Sequence, residues 1–132
     1  TEERTRLVGL ETMGKLNLKT ESEDIRKIAD EGAGGMQTLA QWVVANNGST
    51  LDQEQLASFL FSPDTLQFRY AAYALRFQKK ISDGIYRQMK KKYDALDQGH
   101  PFRVYLSSAL FVHAPESEST RFKNDLLGYV SG

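Results

Sequence analysis

The residues best suited to chemistry are cationic side chains gathered in the middle of the chain. Residues 68–92 carry eight bases and one acid, although the whole chain has 17 bases, 17 acids and no net charge. Cations that share a surface attract anions and steer an acidic partner toward it. We therefore predict that this segment binds a partner. The candidate contact residues are Arg69, Tyr73, Arg76, Lys80, Arg87, Lys90 and Lys91.

Three interpretations of these cations stay open. The first is contact with an acidic protein surface, in which Tyr73 and the arginines act as anchors, because Tyr and Arg are enriched among the residues that dominate interface energetics. The second is binding to a nucleic-acid backbone, which ignores base sequence and weakens steeply with salt. A chain with no net charge fits the second less well, since nucleic-acid-binding domains are usually basic as a whole. The third is a solvated surface that only improves solubility.

The remaining reactive side chains show no pattern typical of catalysis or metal binding. Cysteine is absent, which excludes a thiolate ligand, a Cys nucleophile and a disulfide. The acids near His100 are Asp94 and Asp97, and those near His113 are Glu116 and Glu118, which is not a typical zinc-binding pattern, since zinc needs three or four ligands in compatible geometry. The run 32–35 is glycine-rich, but no Lys-Ser/Thr pair follows it, so it predicts a connection rather than a phosphate loop. We predict a non-enzymatic protein without metal or cofactor.

The elements that must position these residues are helices. Apolar residues recur at the helical spacing of three and four, and no sustained alternation of period two occurs. The sequence therefore predicts one all-α domain over residues 1–132, with capping boxes at Thr20 with Glu23 and at Thr50 with Gln53. The expected helices cover about 2–16, 21–31, 36–46, a segment after Thr50, 64–80, 83–96, 101–113 and 118–130.

Two of these helices superpose at an offset of 34 residues, which is typical of helical repeats. The pairs that match are Phe68 with Phe102, Arg69 with Arg103 and Phe77 with Phe111. The first of the two helices has a narrow polar stripe, which predicts a middle layer that is buried on several sides. On this basis we expect about eight helices in four antiparallel pairs, and a positive patch across the outer surface of the fifth and sixth helices.

The stretch SPDTLQFRYAAYAL, residues 62–75, has a proline, an acid, spacers, an arginine and then an Ala-rich apolar run. In this it resembles the first helix of a HEAT-type repeat. The resemblance implies a right-handed HEAT-like array and a protein-binding or scaffold role, occasionally with a nucleic-acid backbone as ligand. The alternative architecture is an irregular helical bundle. Adaptor, inhibitor and immunity-type roles all fit such a binding module.

The chain begins without Met and has no run of about 20 apolar residues. We therefore expect a fragment or a processed form of a soluble protein. The cytoplasm is slightly favoured, and a signal peptide removed during maturation stays open as an alternative.

Overall fold

The computed structural model describes residues 2–131, and within this range it contains helices and no β-strand. The all-α prediction is confirmed. A short 3₁₀ turn, Phe59–Phe61, is the one element that the periodicity did not predict. The helices are α1 (Glu2–Lys15), α2 (Glu23–Glu31), α3 (Gly34–Ala45), α4 (Thr50–Ser58), α5 (Thr65–Phe77), α6 (Asp83–Ala95), α7 (Arg103–His113) and α8 (Glu116–Ser131).

Side-chain caps fix the starts of α2, α4, α5 and α6, and the capping boxes predicted at Thr20 and Thr50 are wrong. Ser22 caps α2, where its hydroxyl accepts a hydrogen bond from the backbone N–H of Ile25 at 3.3 Å. Ser49 caps α4 in the same way. In both cases a neighbouring serine satisfies the orphan N–H group of the first turn, so the threonine is not needed there.

Helix α3 forms the centre of the core. Every residue from Thr38 to Asn46 is at most 5% exposed, because α1, α2, α4 and α5 all pack against this helix. Helix α5 is also enclosed on several sides, by α1, α3, α4 and α7. The small residues Ala71, Ala72 and Ala74 are completely buried, and they allow these neighbours to approach closely. The prediction of a middle-layer fifth helix agrees with this packing.

Hydrogen bonds between helix ends show how the odd-numbered helices are oriented. Asn46 Nδ2 donates to the carbonyl of Gly14 at 3.3 Å, and Gln78 Nε2 donates to Asn46 Oδ1 at 2.8 Å. His113 Nε2 lies 2.6 Å from the carbonyl oxygen of Leu75. These contacts join the C-terminal ends of α1, α3, α5 and α7, so the four helices run in the same direction, side by side.

The even-numbered helices lie behind this layer, and α6 does not occupy the predicted place. It packs mainly against α7, α4 and the 3₁₀ turn instead of α5. Contacts from Arg26 to Asp52 and from Tyr93 to Asp125 link α2 to α4 and α6 to α8. Of the four expected pairs, α3 packs closely with α4 and α7 with α8, whereas α1 and α2, and α5 and α6, do not pack closely together. The HEAT-like arrangement stays a prediction.

The residues matched at the offset of 34 do not have matched environments. Arg69 is half-buried on α5, whereas Arg103 is 7% exposed and pairs with Asp125. Phe77 is half-buried, whereas Phe111 is 40% exposed. Because α7 has no odd-numbered helix after it within the described residues, its outer side lacks the covering that α7 gives to α5.

Candidate partner-binding surface

The structure divides the predicted contact residues among α5, α6 and the loop between them, which carries Lys80. Arg69, Tyr73 and Arg76 belong to α5, and Tyr73 faces α1, where Lys15 Nζ lies 5.3 Å from the centre of its ring. Arg87, Lys90 and Lys91 belong to α6, which packs on α7, α4 and the 3₁₀ turn. The single positive patch expected across an α5–α6 pair is therefore wrong, because these two helices do not pack as a close pair.

The cations of α6 are partly committed to contacts within the protein. Lys90 forms an ion pair with Glu118 of α8, and both side chains are half-buried. Lys92 Nζ lies 5.2 Å from the ring centre of Phe68. Arg87 and Lys91 are exposed and have no carboxylate within 4 Å in the described part of the chain. Helix α6 therefore offers only two fully exposed, unpaired cations from the predicted set.

A carboxylate on α8 organises the polar contacts next to α6. Asp125 Oδ2 accepts hydrogen bonds from Ser107 Oγ at 2.6 Å and from Tyr93 Oη at 2.8 Å, and Arg103 Nε lies 3.5 Å away. Burial acts to raise the pKa of Asp125, but the hydrogen bonds from Ser107 and Tyr93 together with the charge and hydrogen bond of Arg103 outweigh it, so the pKa is lowered. The cluster binds α6, α7 and α8 to one another and is satisfied within the protein.

Helices α1, α5 and α7 together form a small polar cleft, which we call the tyrosine cleft. It has a volume of about 220 Å³, and all of its lining residues are half-buried. The guanidinium carbon of Arg69 lies 5.7 Å from the ring centre of Tyr70 and 5.8 Å from that of Tyr105. The lining residues are Glu11 of α1, Arg69, Tyr70 and Tyr73 of α5, and Tyr105 of α7.

Tyr73 is not the exposed anchor that the sequence suggests. Its ring packs edge-on against Trp42 at 5.9 Å and against Tyr105 at 6.2 Å between centres. This packing leaves the side chain half-buried in the wall of the tyrosine cleft. The tyrosine contact, together with the carboxylate of Glu11, raises the pKa of Lys15 and keeps that cation charged beside it.

A second cleft, the lysine cleft, lies where the loops after α1, α3 and α5 meet. Its volume is about 410 Å³, and Lys19, Lys79 and Lys80 line it without any acidic residue. Gln53 Nε2 donates to the carbonyl of Lys80 and to Gln78 Oε1, both at 2.9 Å. These bonds hold the loop that carries two of the lysines against α4, so the backbone of the cleft is fixed.

Both clefts combine residues of α1 or the loop after it with residues of α5 or the loop after it, and we call this common surface the α1–α5 seam. It consists of both clefts, with Lys15, whose ammonium lies near the Tyr73 ring, and Arg76, which shares a face of α5 with Arg69 and Tyr73 by helical spacing. Lys15 pairs with Glu11 at 3.5 Å. Within residues 2–131, the other seam bases have no carboxylate within 4 Å. The charged seam residues are one acid, Glu11, and six bases, Lys15, Lys19, Arg69, Arg76, Lys79 and Lys80.

Sequence reasoning found half of these seam bases as contact residues and missed the contribution of α1. Lys15 and Lys19 lie four residues apart and could have indicated a shared face. They belong, however, to the segment 1–33, which has eight acids and six bases. In the folded protein, the packing of α1 against α5 places these two lysines among the bases of the seam, although acids surround them in the sequence.

Neither a metal-binding cluster nor a membrane-spanning helix is found between residues 2 and 131. No group of three or more His, Asp or Glu side chains between residues 2 and 131 is placed to hold a metal ion. None of the helices in that range has the length and apolar content needed to cross a membrane.

The resemblance of residues 62–75 to a HEAT-type repeat gains no support from comparison with known proteins. No family model matches the chain, and neither a curated protein nor a solved structure matches it.

Proposed function

We propose that this protein is a non-enzymatic, protein-binding module that receives an acidic segment of another protein along the α1–α5 seam. The observation that carries the proposal is the set of five cations without a carboxylate partner on one surface of a chain with no net charge. Such a surface steers an acidic partner and favours it over a basic one. Adaptor, inhibitor and immunity-type roles would all use a surface of this kind.

The framework of the seam supports a binding role because it is rigid before any partner arrives. Gly14 lets α1 sit directly on Trp42, since a Cβ at this position would come within 2.5 Å of the indole ring. Asn46 then ties the end of α1 to α3 and, through Gln78, to α5. A surface that is already ordered loses less conformational entropy on binding, which improves affinity.

Helix dipoles account for part of the charge but not for all of it. Lys19, Lys79 and Lys80 follow the C-terminal ends of α1 and α5, where cations are favourable without any ligand. Arg69 lies in the first half of α5, far from that end, so the dipole gives no reason for a cation there. Binding of an acidic partner gives one reason for both the lysines at the helix ends and Arg69.

The nucleic-acid alternative would use the same cations, and Glu11 argues against it. This carboxylate lines the tyrosine cleft within the seam, where it would repel a closely spaced row of phosphates. An acidic peptide can avoid most of the repulsion, because its flexible side chains can turn all but one of their carboxylates away from Glu11. We therefore favour protein as the partner and make nucleic acid an outcome of the test.

The experiment measures fluorescence anisotropy with two labelled probes, a decaglutamate peptide and a mixed-sequence single-stranded DNA of 12 nucleotides. The test variant is Lys79→Glu with Lys80→Glu in the seam, and the matched control is Arg87→Glu with Lys91→Glu on α6. Both double variants change the net charge equally. Reversal in the seam is expected to weaken peptide binding about tenfold or more, and the control about twofold or less.

Equal losses in the two variants would show that net charge, not the seam, attracts the peptide, and the proposal would fail. Tighter binding of the DNA than of the peptide, with affinity falling steeply between about 50 and 200 mM salt, would favour the nucleic-acid alternative instead. Circular dichroism at the working temperature confirms that each variant is folded.

A further inference from the structure

In the described part of the chain, Arg69 lacks the carboxylate partner that the other buried or half-buried arginines have. Arg26 donates to both carboxylate oxygens of Asp52, at 2.8 and 2.9 Å. Arg103 pairs with Asp125. Arg69 is half-buried as well, but no carboxylate of residues 2–131 lies within 4 Å of it. A cation that is withdrawn from water without a partner is costly to the protein, so its position calls for a reason outside the isolated chain.

The surroundings of Arg69 hold its guanidinium in place for a ligand. The rings of Tyr70 and Tyr105 lie at nearly equal distances from it, 5.7 and 5.8 Å, and such cation–π contacts restrain the planar group. The fork of N–H donors suits a carboxylate, which it can bind with two parallel hydrogen bonds. The cleft volume of about 220 Å³ is below the roughly 300–1,000 Å³ of small-molecule pockets, and it suits a single short side chain.

We infer that the tyrosine cleft is an anchor pocket in which Arg69 binds the carboxylate of one Asp or Glu side chain from the acidic partner. This inference rests on the proposed function and specifies how the partner is held. Glu11 in the same cleft selects for the ligand class, because its charge disfavours a doubly charged phosphoryl group more than a singly charged carboxylate. The nearby Lys15, paired with Glu11 at 3.5 Å, offsets part of that repulsion.

The experiment follows the side-chain Nε–Hε signal of Arg69 by NMR during titration with the unlabelled decaglutamate peptide, and separately with inorganic phosphate. Arg69→Lys keeps the charge but loses the stacked fork. Arg87→Lys is the matched control, because Arg87 is an exposed arginine of α6 outside the seam. We expect the Arg69 signal to shift with peptide, Arg69→Lys to weaken peptide binding about tenfold, and Arg87→Lys to change it less than about twofold.

Glu11→Gln sharpens the assignment of the ligand class. Removing this carboxylate should allow phosphate to shift the Arg69 signal at concentrations where the wild-type protein shows no response. If phosphate already shifts the wild-type signal as strongly as the peptide does, the carboxylate assignment is overturned. Retention of full peptide affinity in Arg69→Lys would likewise overturn the anchor role, since a diffuse charge would then be sufficient.

A failure of the anchor pocket and a failure of the proposed function give different experimental results. If peptide binding depends on Lys79 and Lys80 but leaves the Arg69 signal unmoved, the seam binds acidic protein and the anchor pocket is wrong. If the Arg69 signal shifts with peptide while reversal of the two lysines has no effect, the anchor pocket holds and the extended seam is wrong. Near-equal thermal unfolding midpoints of the lysine variants and the wild-type protein exclude misfolding as the cause.

Discussion

Two charged regions of this protein use their cations in different ways. In the region formed by α6, α7 and α8, which we call the α6–α8 region, Lys90 pairs with Glu118, Arg103 with Asp125 and Arg121 with Asp94. In the α1–α5 seam, only Lys15 has such a partner, Glu11, and five other bases have none within residues 2–131. Bases of similar type therefore hold helices together in one region and stay available to a ligand in the other.

Because of this difference, we expect charges in one region to determine stability and charges in the other to determine binding. A charge pair that is partly withdrawn from water is costly to break, because the remaining partner stays in place without compensation. An unpaired cation at the surface contributes little to folding, and its removal changes the free energy of unfolding only slightly. Substitutions of buried charges in the α6–α8 region should therefore affect unfolding most, and charge substitutions in the seam should affect binding most.

The largest effect on stability is expected for Asp125→Ala. This change removes the acceptor of the bonds from Ser107 and Tyr93 and leaves Arg103, whose side chain is 9% exposed, without its carboxylate. We expect a loss of about 2–4 kcal/mol in the free energy of unfolding, measured with urea. Asp94→Ala is the control, because its pair with Arg121 has side chains 53% and 50% exposed, and it should cost less than about 1 kcal/mol.

A similar small cost for both aspartate variants would contradict the expectation that the buried charge pair holds the α6–α8 region together. It would mean that Arg103 finds other compensation, such as its hydrogen bond to the carbonyl of Leu96, and that the stability of this region does not depend on its charges.

An intermediate effect is expected for Gly14→Ala, which tests the frame of the seam. The added methyl group would meet the ring of Trp42 at 2.5 Å, and Trp42 is completely buried. Overpacking of this kind costs about 1–3 kcal/mol, and it should move α1 away from α5 and weaken peptide binding as well. Thermal unfolding followed by circular dichroism measures the first effect, and anisotropy measures the second.

Gly9 provides the control on the same helix, because nothing lies within 4 Å of a Cβ built there. Gly9→Ala should be neutral or stabilising, by up to about 1 kcal/mol, since alanine favours a helix more than glycine does. If Gly14→Ala is as harmless as Gly9→Ala, the close contact of α1 with α3 is not what holds the seam together.

Local patterns predicted the helices because they act over a few residues. The apolar spacing gave the all-α class, and Pro63 with Asp64 marked the start of α5, where Asp64 accepts from the N–H of Leu66 at 2.9 Å. The choice between Thr20 and Ser22 as a cap was beyond this reasoning, because both hydroxyls lie near the helix start and only the backbone geometry decides.

Contacts between distant segments could not be predicted in the same way. Arg69 and Arg103 look equivalent at the offset of 34, but Asp125 lies beside only one of them. The candidate site was likewise predicted in part: Arg69, Arg76 and Lys80 were found from the stripe on α5. Lys19 was missed because its place in the seam depends on how the loop after α1 meets the loop after α5.

The smallest effect is a pH dependence at His113, whose contact joins the two regions. Burial lowers the pKa of His113, although the hydrogen bond to the carbonyl of Leu75 partly opposes the shift. The folded protein therefore binds fewer protons than the unfolded chain as pH falls below about 6.5, the ordinary value for His. The contribution of this group to stability is fully present above that pH and is lost as pH falls through the lowered pKa.

Urea unfolding at pH 7.5 and 5.5 should show lower stability at pH 5.5, and His113→Gln, whose amide still donates but does not titrate, should reduce the difference. His100→Gln is the control for loss of an imidazole elsewhere, and equal pH dependence in His113→Gln and the wild-type protein would show that the junction between α7 and α5 is insensitive to protonation.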